Sequence, residues 1–210
     1  SNYSLPLIKE TIKSSNTLTP RVSLRLSTPY TKDVRKTDRK ISYDNIYDLN
    51  RLGIDEANEG GISLTYGYEY SIVEKSSSEE NLKFGFANNL RLEENKDLPL
   101  NSNLGDKVSD FVGMFEYKPN KNLKFDYDFS YKNNLNDLNY ELYGFEFYLR
   151  NLTTKFEYQN ENNTSLKTSY LKNETRFNFN EKNSLIFETR ENKEKSFTEF
   201  YNLIYQYEID

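Results

Sequence analysis

Apolar and polar residues alternate with a period of two along most of the chain. In residues 122–132, NLKFDYDFSYK, the residues Leu123, Phe125, Tyr127, Phe129 and Tyr131 share one parity, and charged or hydroxyl residues occupy the other. Successive side chains of a β-strand point to opposite faces of the sheet, so this pattern predicts a strand with one apolar and one polar face. No stretch sustains the period of an amphipathic helix, so the chain is predicted to be all-β.

The same alternation predicts about ten strands. They cover residues 20–27, 61–73, 81–92, 109–118, 122–132, 138–149, 152–159, 166–179, 184–190 and 199–209. The apolar parity changes near Gly144, where a β-bulge would restore it, and again near Tyr170 and Leu171. Residues 41–53, ISYDNIYDLNRLG, lie between two predicted strands and are a candidate for additional structure.

Connections between these strands alternate in length. Short turns fall at 74–80, 119–121, 150–151 and 181–182, and longer loops at 28–60, 93–108, 133–137, 160–165 and 191–197. Short turns at one end and long loops at the other are typical of outer-membrane barrels. The predicted fold is therefore an antiparallel up-and-down meander that forms part of a transmembrane β-barrel. A soluble antiparallel sandwich also alternates in this way and stays open as an alternative.

The amino-acid composition limits the kinds of function that the chain can have. Of its 210 residues, 35% are hydrophobic and 15% aromatic, with a mean hydropathy of -0.90, which suits a sheet that is wet on one face. The net charge of -5 argues against nucleic-acid binding. There is no Cys for a thiolate and no His to act as a general base. We therefore expect no enzymatic activity, no cofactor and no metal site.

The polar parity defines candidate lumen-facing residues. Asp126 and Asp128 lie two residues apart, but Lys124 and Lys132 flank them, which favours a ladder of charges over a catalytic pair. The acidic loop from Glu93 to Asp106 matches no calcium-loop spacing and is interpreted as solvated. The residues predicted to face the lumen are Arg21, Arg25, Lys83, Arg91, Lys124, Asp126, Asp128, Lys155 and Glu157.

Five stretches resemble a known family. They are LTPRVSLRLS (18–27), NIYDLNRLG (45–53), NLRLEENKDLP (89–99), NLGDKVSDFVG (103–113) and TRENKEKSFTEFYNLIYQYEID (189–210). Together they resemble the barrel of the LptD family of lipopolysaccharide-assembly proteins, also called organic solvent tolerance proteins.

The resemblance implies an outer-membrane barrel in a Gram-negative bacterium. Its partners would be lipopolysaccharide, outer-membrane lipid and an LptE-like lipoprotein plug. Residues 1–210 would be a partial barrel of interior to late strands. The family's periplasmic N-terminal domain, its cysteines and the strand pair that opens laterally would lie outside this stretch. A porin or solute receptor, or a soluble sandwich that binds carbohydrate or protein, is the alternative.

Overall fold

The strands follow one another across a single antiparallel sheet. The computed structural model describes residues 1–55, 58–162 and 167–208, and within these residues the sheet has twelve strands. They are β1 (Asn2–Ser4), β2 (Leu7–Glu10), β3 (Ser14–Ser27), β4 (Gly61–Glu74), β5 (Glu80–Arg91), β6 (Phe111–Asn120), β7 (Leu123–Tyr131), β8 (Leu138–Leu149), β9 (Leu152–Asn162), β10 (Lys167–Asn178), β11 (Asn183–Asn192) and β12 (Phe197–Tyr207). Each strand from β3 to β12 pairs with its neighbour in sequence, which confirms the predicted meander.

Two short strands at the start of the chain were not predicted from the sequence. The ten predicted strands correspond to β3–β12, whereas β1 and β2 have three and four residues and both pair with β3. Leu5 and Pro6 separate them, and proline has no backbone N–H to donate to a neighbouring strand. The Leu5 N–H still donates to the Pro20 carbonyl oxygen at 3.2 Å. Strands this short carry too few alternating residues to be recognised in a sequence.

One face of the sheet, here called the outer face, carries a nearly continuous aromatic surface. The rings of Tyr127 and Tyr143 stack across β7 and β8 with centroids 4.4 Å apart, and those of Phe125 and Phe145 lie 5.1 Å apart. Phe125 and Tyr143 remain exposed. The described strands form one sheet, so no second sheet covers these rings as a soluble sandwich would require.

The bulge predicted at Gly144 is wrong. Pairing of β8 with both β7 and β9 is continuous through Gly144, and the register shift lies instead beside Tyr131. The parity changes because Tyr140 and Leu142 on β8 and Tyr170 on β10 point to the polar side. The Lys40 ammonium lies 3.6 Å from the Tyr140 ring centroid, and the Arg190 guanidinium carbon lies 3.8 Å from the Tyr170 ring centroid. Cation–π contacts thus place aromatic rings on the face that periodicity assigns to polar residues.

Loop lengths follow the predicted alternation. Short turns connect β4–β5, β6–β7, β8–β9 and β10–β11 at one end of the sheet, and residues 28–60 and 92–110 form the longest loops at the other end. Of the loop predicted at 160–165, residues 160–162 belong to β9, and 163–165 lie outside the described residues. Among the described residues, no helix is long and apolar enough to cross a membrane.

Both long loops fold back over the sheet, and the face that they cover is called the inner face. Together with Ala87 on β5 and Val112 on β6, they bury the main hydrophobic cluster of the chain. Its loop members are Val34, Ile41, Tyr43, Ile46, Tyr47, Leu52, Leu98 and Leu104. This small core positions the candidate site, because it holds the loops against the polar wall.

Candidate functional site: the inner face and its inserted segment

All nine predicted site residues lie on the inner face. They are Arg21 and Arg25 on β3, Lys83 and Arg91 on β5, Lys124, Asp126 and Asp128 on β7, and Lys155 and Glu157 on β9. The structure separates them into two groups. Arg21, Arg25 and Arg91 contact or underlie the β3–β4 loop, and the remaining six belong to a ladder of charges across β4–β9. That the inner face borders a lumen stays a prediction.

Opposite charges alternate across the ladder. Lys124 Nζ lies 3.1 Å from Glu116 Oε2 and 3.7 Å from Asp126 Oδ1. Lys155 Nζ lies 3.0 Å from Glu157 Oε1 and 3.7 Å from a carboxylate oxygen of Glu146 on β8. Each ammonium therefore sits between two carboxylates on neighbouring positions. With two carboxylates to each ammonium, this part of the wall carries a net negative charge, and its ion pairs remain partly exposed.

Lys83 and Asp128 occupy the part of the ladder nearest the β3–β4 loop. Lys83 Nζ lies 3.6 Å from Glu69 Oε2, and Arg21 pairs with the same oxygen at 3.8 Å. Asp128 lines a cavity of about 270 Å³ between the loop and β6–β8, together with Asp44 and Tyr140.

The β3–β4 loop is anchored by a buried cluster of charges. This inserted segment comprises residues 31–55 and 58–60. Glu59 accepts hydrogen bonds from Arg51 Nε at 2.7 Å and from Arg91 Nη1 at 2.6 Å, and Arg25 Nη1 lies 3.7 Å from it. The side chains of Arg51, Arg91 and Glu59 are at most 3% exposed. Charges this deep are tolerated because Glu59 offsets part of the arginine charge and because Arg51 also donates to Thr65 on β4.

The electrostatics of this cluster favour the ionised carboxylate. Burial alone would raise the pKa of Glu59, but hydrogen bonds from Arg51 and the charges of Arg25 and Arg91 hold it below its usual value of 4.5. Glu59 is thus an ionised carboxylate held by Arg25 on β3, Arg91 on β5 and Arg51 of the inserted segment.

Two tyrosines of the inserted segment rest on glycines of the wall. A Cβ added to Gly85 would lie 2.1 Å from the Tyr43 ring, and one added to Gly67 would lie 2.5 Å from the Tyr47 hydroxyl. The Arg21 guanidinium stacks over the Tyr47 ring at 4.3 Å from its centroid. Burial raises the pKa of Tyr47 to about 12, so the phenol remains neutral at physiological pH. The missing side chains on the wall therefore make room for the segment.

The sequence pointed to residues 41–53 as a candidate for additional structure, and Ile41, Tyr43 and Leu52 from that stretch are indeed in the core. The alternation did not indicate that this loop covers the wall. A usable signal was present in two glycines, Gly67 and Gly85, at polar-parity positions inside predicted strands. Glycine within a strand often marks the close approach of another part of the chain. Within the described residues, no group of three or more His, Cys, Asp or Glu side chains is placed to hold a metal ion.

The comparison with protein families agrees with this architecture. A family model described as "LptD: LPS transport system D" matches residues 2–201. The chain belongs to the LptD family. No curated protein matches it. As an LptD-type chain it has a role in lipopolysaccharide transport and assembly, and the family acts in the outer membrane of Gram-negative bacteria.

Replacing the buried carboxylate should loosen the inserted segment of this LptD-family chain. Glu59→Gln leaves Arg51 and Arg91 buried without a counter-charge, so we expect the free energy of unfolding to fall by about 3–5 kcal/mol. Glu10→Gln, which breaks the exposed Glu10–Lys75 pair, is the matched control and should leave the stability almost unchanged. Equal losses in denaturant titrations of the two variants would contradict the anchoring role.

The pH dependence of stability in wild type and Glu59→Gln tests whether Glu59 is ionised in the folded protein. The pKa of Glu59 is lowered by folding, so its stabilising contribution is complete above the unfolded value of 4.5 and is lost as the pH falls through the folded value. The stability difference between wild type and Glu59→Gln should therefore shrink only below pH 4.5. A difference that already vanishes near neutral pH would show that Glu59 is not ionised in the folded protein.

Packing of the tyrosine on its glycine can be measured by a double-mutant cycle. Gly85→Ala forces the Tyr43 ring to move, so we expect a loss of about 1–3 kcal/mol that largely disappears in a Tyr43→Ala background. Gly67→Ala serves as the control. Its Cβ would lie 2.1 Å from the Phe86 carbonyl oxygen, so its cost should persist without Tyr43. Strictly additive losses for Gly85→Ala and Tyr43→Ala would argue against their contact.

Proposed function

We propose that residues 1–210 form part of the wall of an outer-membrane translocon that places lipopolysaccharide in the outer leaflet. The observation that carries this proposal is the family match over residues 2–201 on a sheet with one aromatic and one charged face. In this arrangement the outer face meets membrane lipid, and the inner face lines a polar lumen. The chemistry is non-covalent transport: the wall offers a surface and forms no bond with its cargo.

The charge ladder suits the polar part of lipopolysaccharide. Lys83, Lys124 and Lys155 are each a few ångströms from carboxylates, so their donors are held in fixed places but remain partly exposed. A phosphate or sugar hydroxyl group can exchange with these partners without leaving a buried charge behind. Arg21, Arg25 and Arg91 instead hold the inserted segment, so in this proposal they shape the lumen and do not contact cargo.

An LptE-like lipoprotein is proposed as a partner on the remaining inner face. The contacts of the inserted segment reach as far as β9, where Lys40 Nζ lies 3.1 Å from Glu161 Oε2. On β10–β12 the inner face presents polar and ionic groups such as the Arg190–Glu199 pair at 2.8 Å. This surface is polar enough to border water and broad enough to receive a second protein.

The orientation of the sheet can be tested by charge insertion. Phe125→Arg places a cation on the outer face, and near the middle of a bilayer it should cost about 2–4 kcal/mol of folding free energy. Gln159→Arg adds the same side chain to the inner face of β9 and should cost far less. Unfolding measured in phospholipid vesicles compares the two. A negligible loss for Phe125→Arg would contradict a lipid-facing aromatic surface.

Transport itself requires a cellular test. In cells that depend on this protein, the double variant Lys124→Glu/Lys155→Glu should lower the surface appearance of new lipopolysaccharide several-fold, because it replaces the two central cations of the ladder. The control Lys13→Glu/Lys121→Glu makes the same charge change in exposed turns. Both variants must reach wild-type amounts in the membrane. Normal lipopolysaccharide delivery in cells with Lys124→Glu/Lys155→Glu would contradict the proposed role of this wall.

A further inference from the structure

Positive charge exceeds negative charge in the cluster that anchors the inserted segment. Among the described residues, the guanidinium groups of Arg25, Arg51 and Arg91 share one carboxylate, that of Glu59. Its two oxygens accept hydrogen bonds from Arg51 and Arg91, whereas Arg25 Nη1 remains 3.7 Å away. The charges of Arg51 and Arg91 also act against that of Arg25. Arg25 is therefore the member of the cluster that an additional anion would stabilise most.

Hydrogen-bond donors also exceed acceptors around these arginines. Arg91 Nε and Asn89 Nδ2 are buried without an acceptor. Arg25 donates to two backbone carbonyl oxygens, at 2.7 Å and 2.6 Å, and these bonds use two of the five N–H groups of a guanidinium. Its contact with Glu59 at 3.7 Å is too long for a hydrogen bond. Three N–H groups of Arg25 are thus not used by these contacts.

A cavity of about 330 Å³, here called the Arg25 cavity, lies beside this guanidinium at the long-loop end of β3. Arg51 adds a second positive charge to its lining, and the Asn50 amide adds a donor. Leu26 and Leu49 add apolar surface and are 69% and 88% exposed. Arg25 and Leu26 are consecutive on a strand and point to opposite faces. At this rim, basic groups of the inner face therefore meet apolar surface of the outer face.

The lining favours a phosphate group that is part of a larger molecule. Arginine and amide N–H groups suit phosphate, because several of its oxygens can each accept a hydrogen bond. The cavity is larger than a phosphate ion, which leaves room for the group that carries the phosphate. Asp55 also lines the cavity and repels an anion, so a phosphate is retained more strongly when apolar contacts add to the attraction.

We propose that the Arg25 cavity binds the phosphate group of a membrane lipid. Arg25 and Asn50 hold the phosphate, and Leu26 and Leu49 contact the acyl part. Such a lipid belongs to the leaflet around the wall and is not cargo in the lumen. The inference rests on the proposed function, in which the outer face meets lipid. Binding is measured on protein in detergent, so its failure leaves the outcome of the Phe125→Arg test of orientation unaffected.

Calorimetric titration in a non-ionic detergent tests the site, with dihexanoyl phosphatidic acid as the lipid probe. We expect saturable binding to the wild-type protein, and weaker binding of sodium phosphate, because the free ion has no apolar part. Arg25→Gln should weaken the binding of phosphatidic acid about tenfold, because it removes a charge-assisted contact. Arg176→Gln, the same change on the inner face of β10, should keep the wild-type affinity.

Three results would overturn the proposal. They are no binding of phosphatidic acid to wild type, an equal affinity for sodium phosphate, which indicates a site for the free ion, and an unchanged affinity in Arg25→Gln. Should Arg25→Gln fail to fold, Asp55→Asn decides the question. It removes a repelling charge from the cavity, so the affinity for phosphatidic acid should rise several-fold, which a loss of structure cannot produce. A wild-type affinity in that variant would contradict the site.

Discussion

The two-sided geometry of the extended chain is the constraint on which this structure depends. Each residue of a strand must place its side chain on one face or the other, so one sequence specifies two surfaces at once. Here the outer surface is aromatic, and the inner surface is built from charges and glycines. A one-residue slip of any strand would exchange the two, exposing lysines where rings stack and rings where carboxylates pair. Continuous register from β8 to β11 is therefore a condition for the chemistry of both faces, not only for their hydrogen bonds.

The inserted segment shows how a polar wall acquires a core. A flat row of charges offers nothing apolar to pack against, but Gly67, Gly85 and Ala87 open a shallow depression in it. Tyr43 and Tyr47 fill that depression, and their hydrophobic neighbours complete a small core above the sheet. Glu59 then ties the segment to Arg25 on β3 and Arg91 on β5 and also pairs with Arg51 of the segment itself. Packing by the tyrosines and ion pairing by Glu59 involve different residues of the segment, so neither alone accounts for its position.

Much of the fold could be predicted because it depends on local alternation. Ten strands, the loop alternation and the face occupied by every candidate residue follow from the parity of residues such as Lys124 and Lys155. The failures have a shared physical cause. Tyr140 and Tyr170 break parity because distant cations, Lys40 and Arg190, stack on their rings. The insertion depends on Glu59 meeting Arg91, a contact between residues 32 positions apart in sequence. Periodicity contains no information about such encounters.

The position of the inserted segment also constrains the order of assembly. Residues 28–60 join β3 to β4, so pairing of these two strands closes a loop whose entropy must be offset by its own contacts. In the barrel proposed above, the inner face is the enclosed side, and a chain of this bulk would have no lateral route to it once the wall had closed. On that proposal the segment is seated before closure, and the β3–β5 region is the natural starting point from which the remaining strands are added one by one.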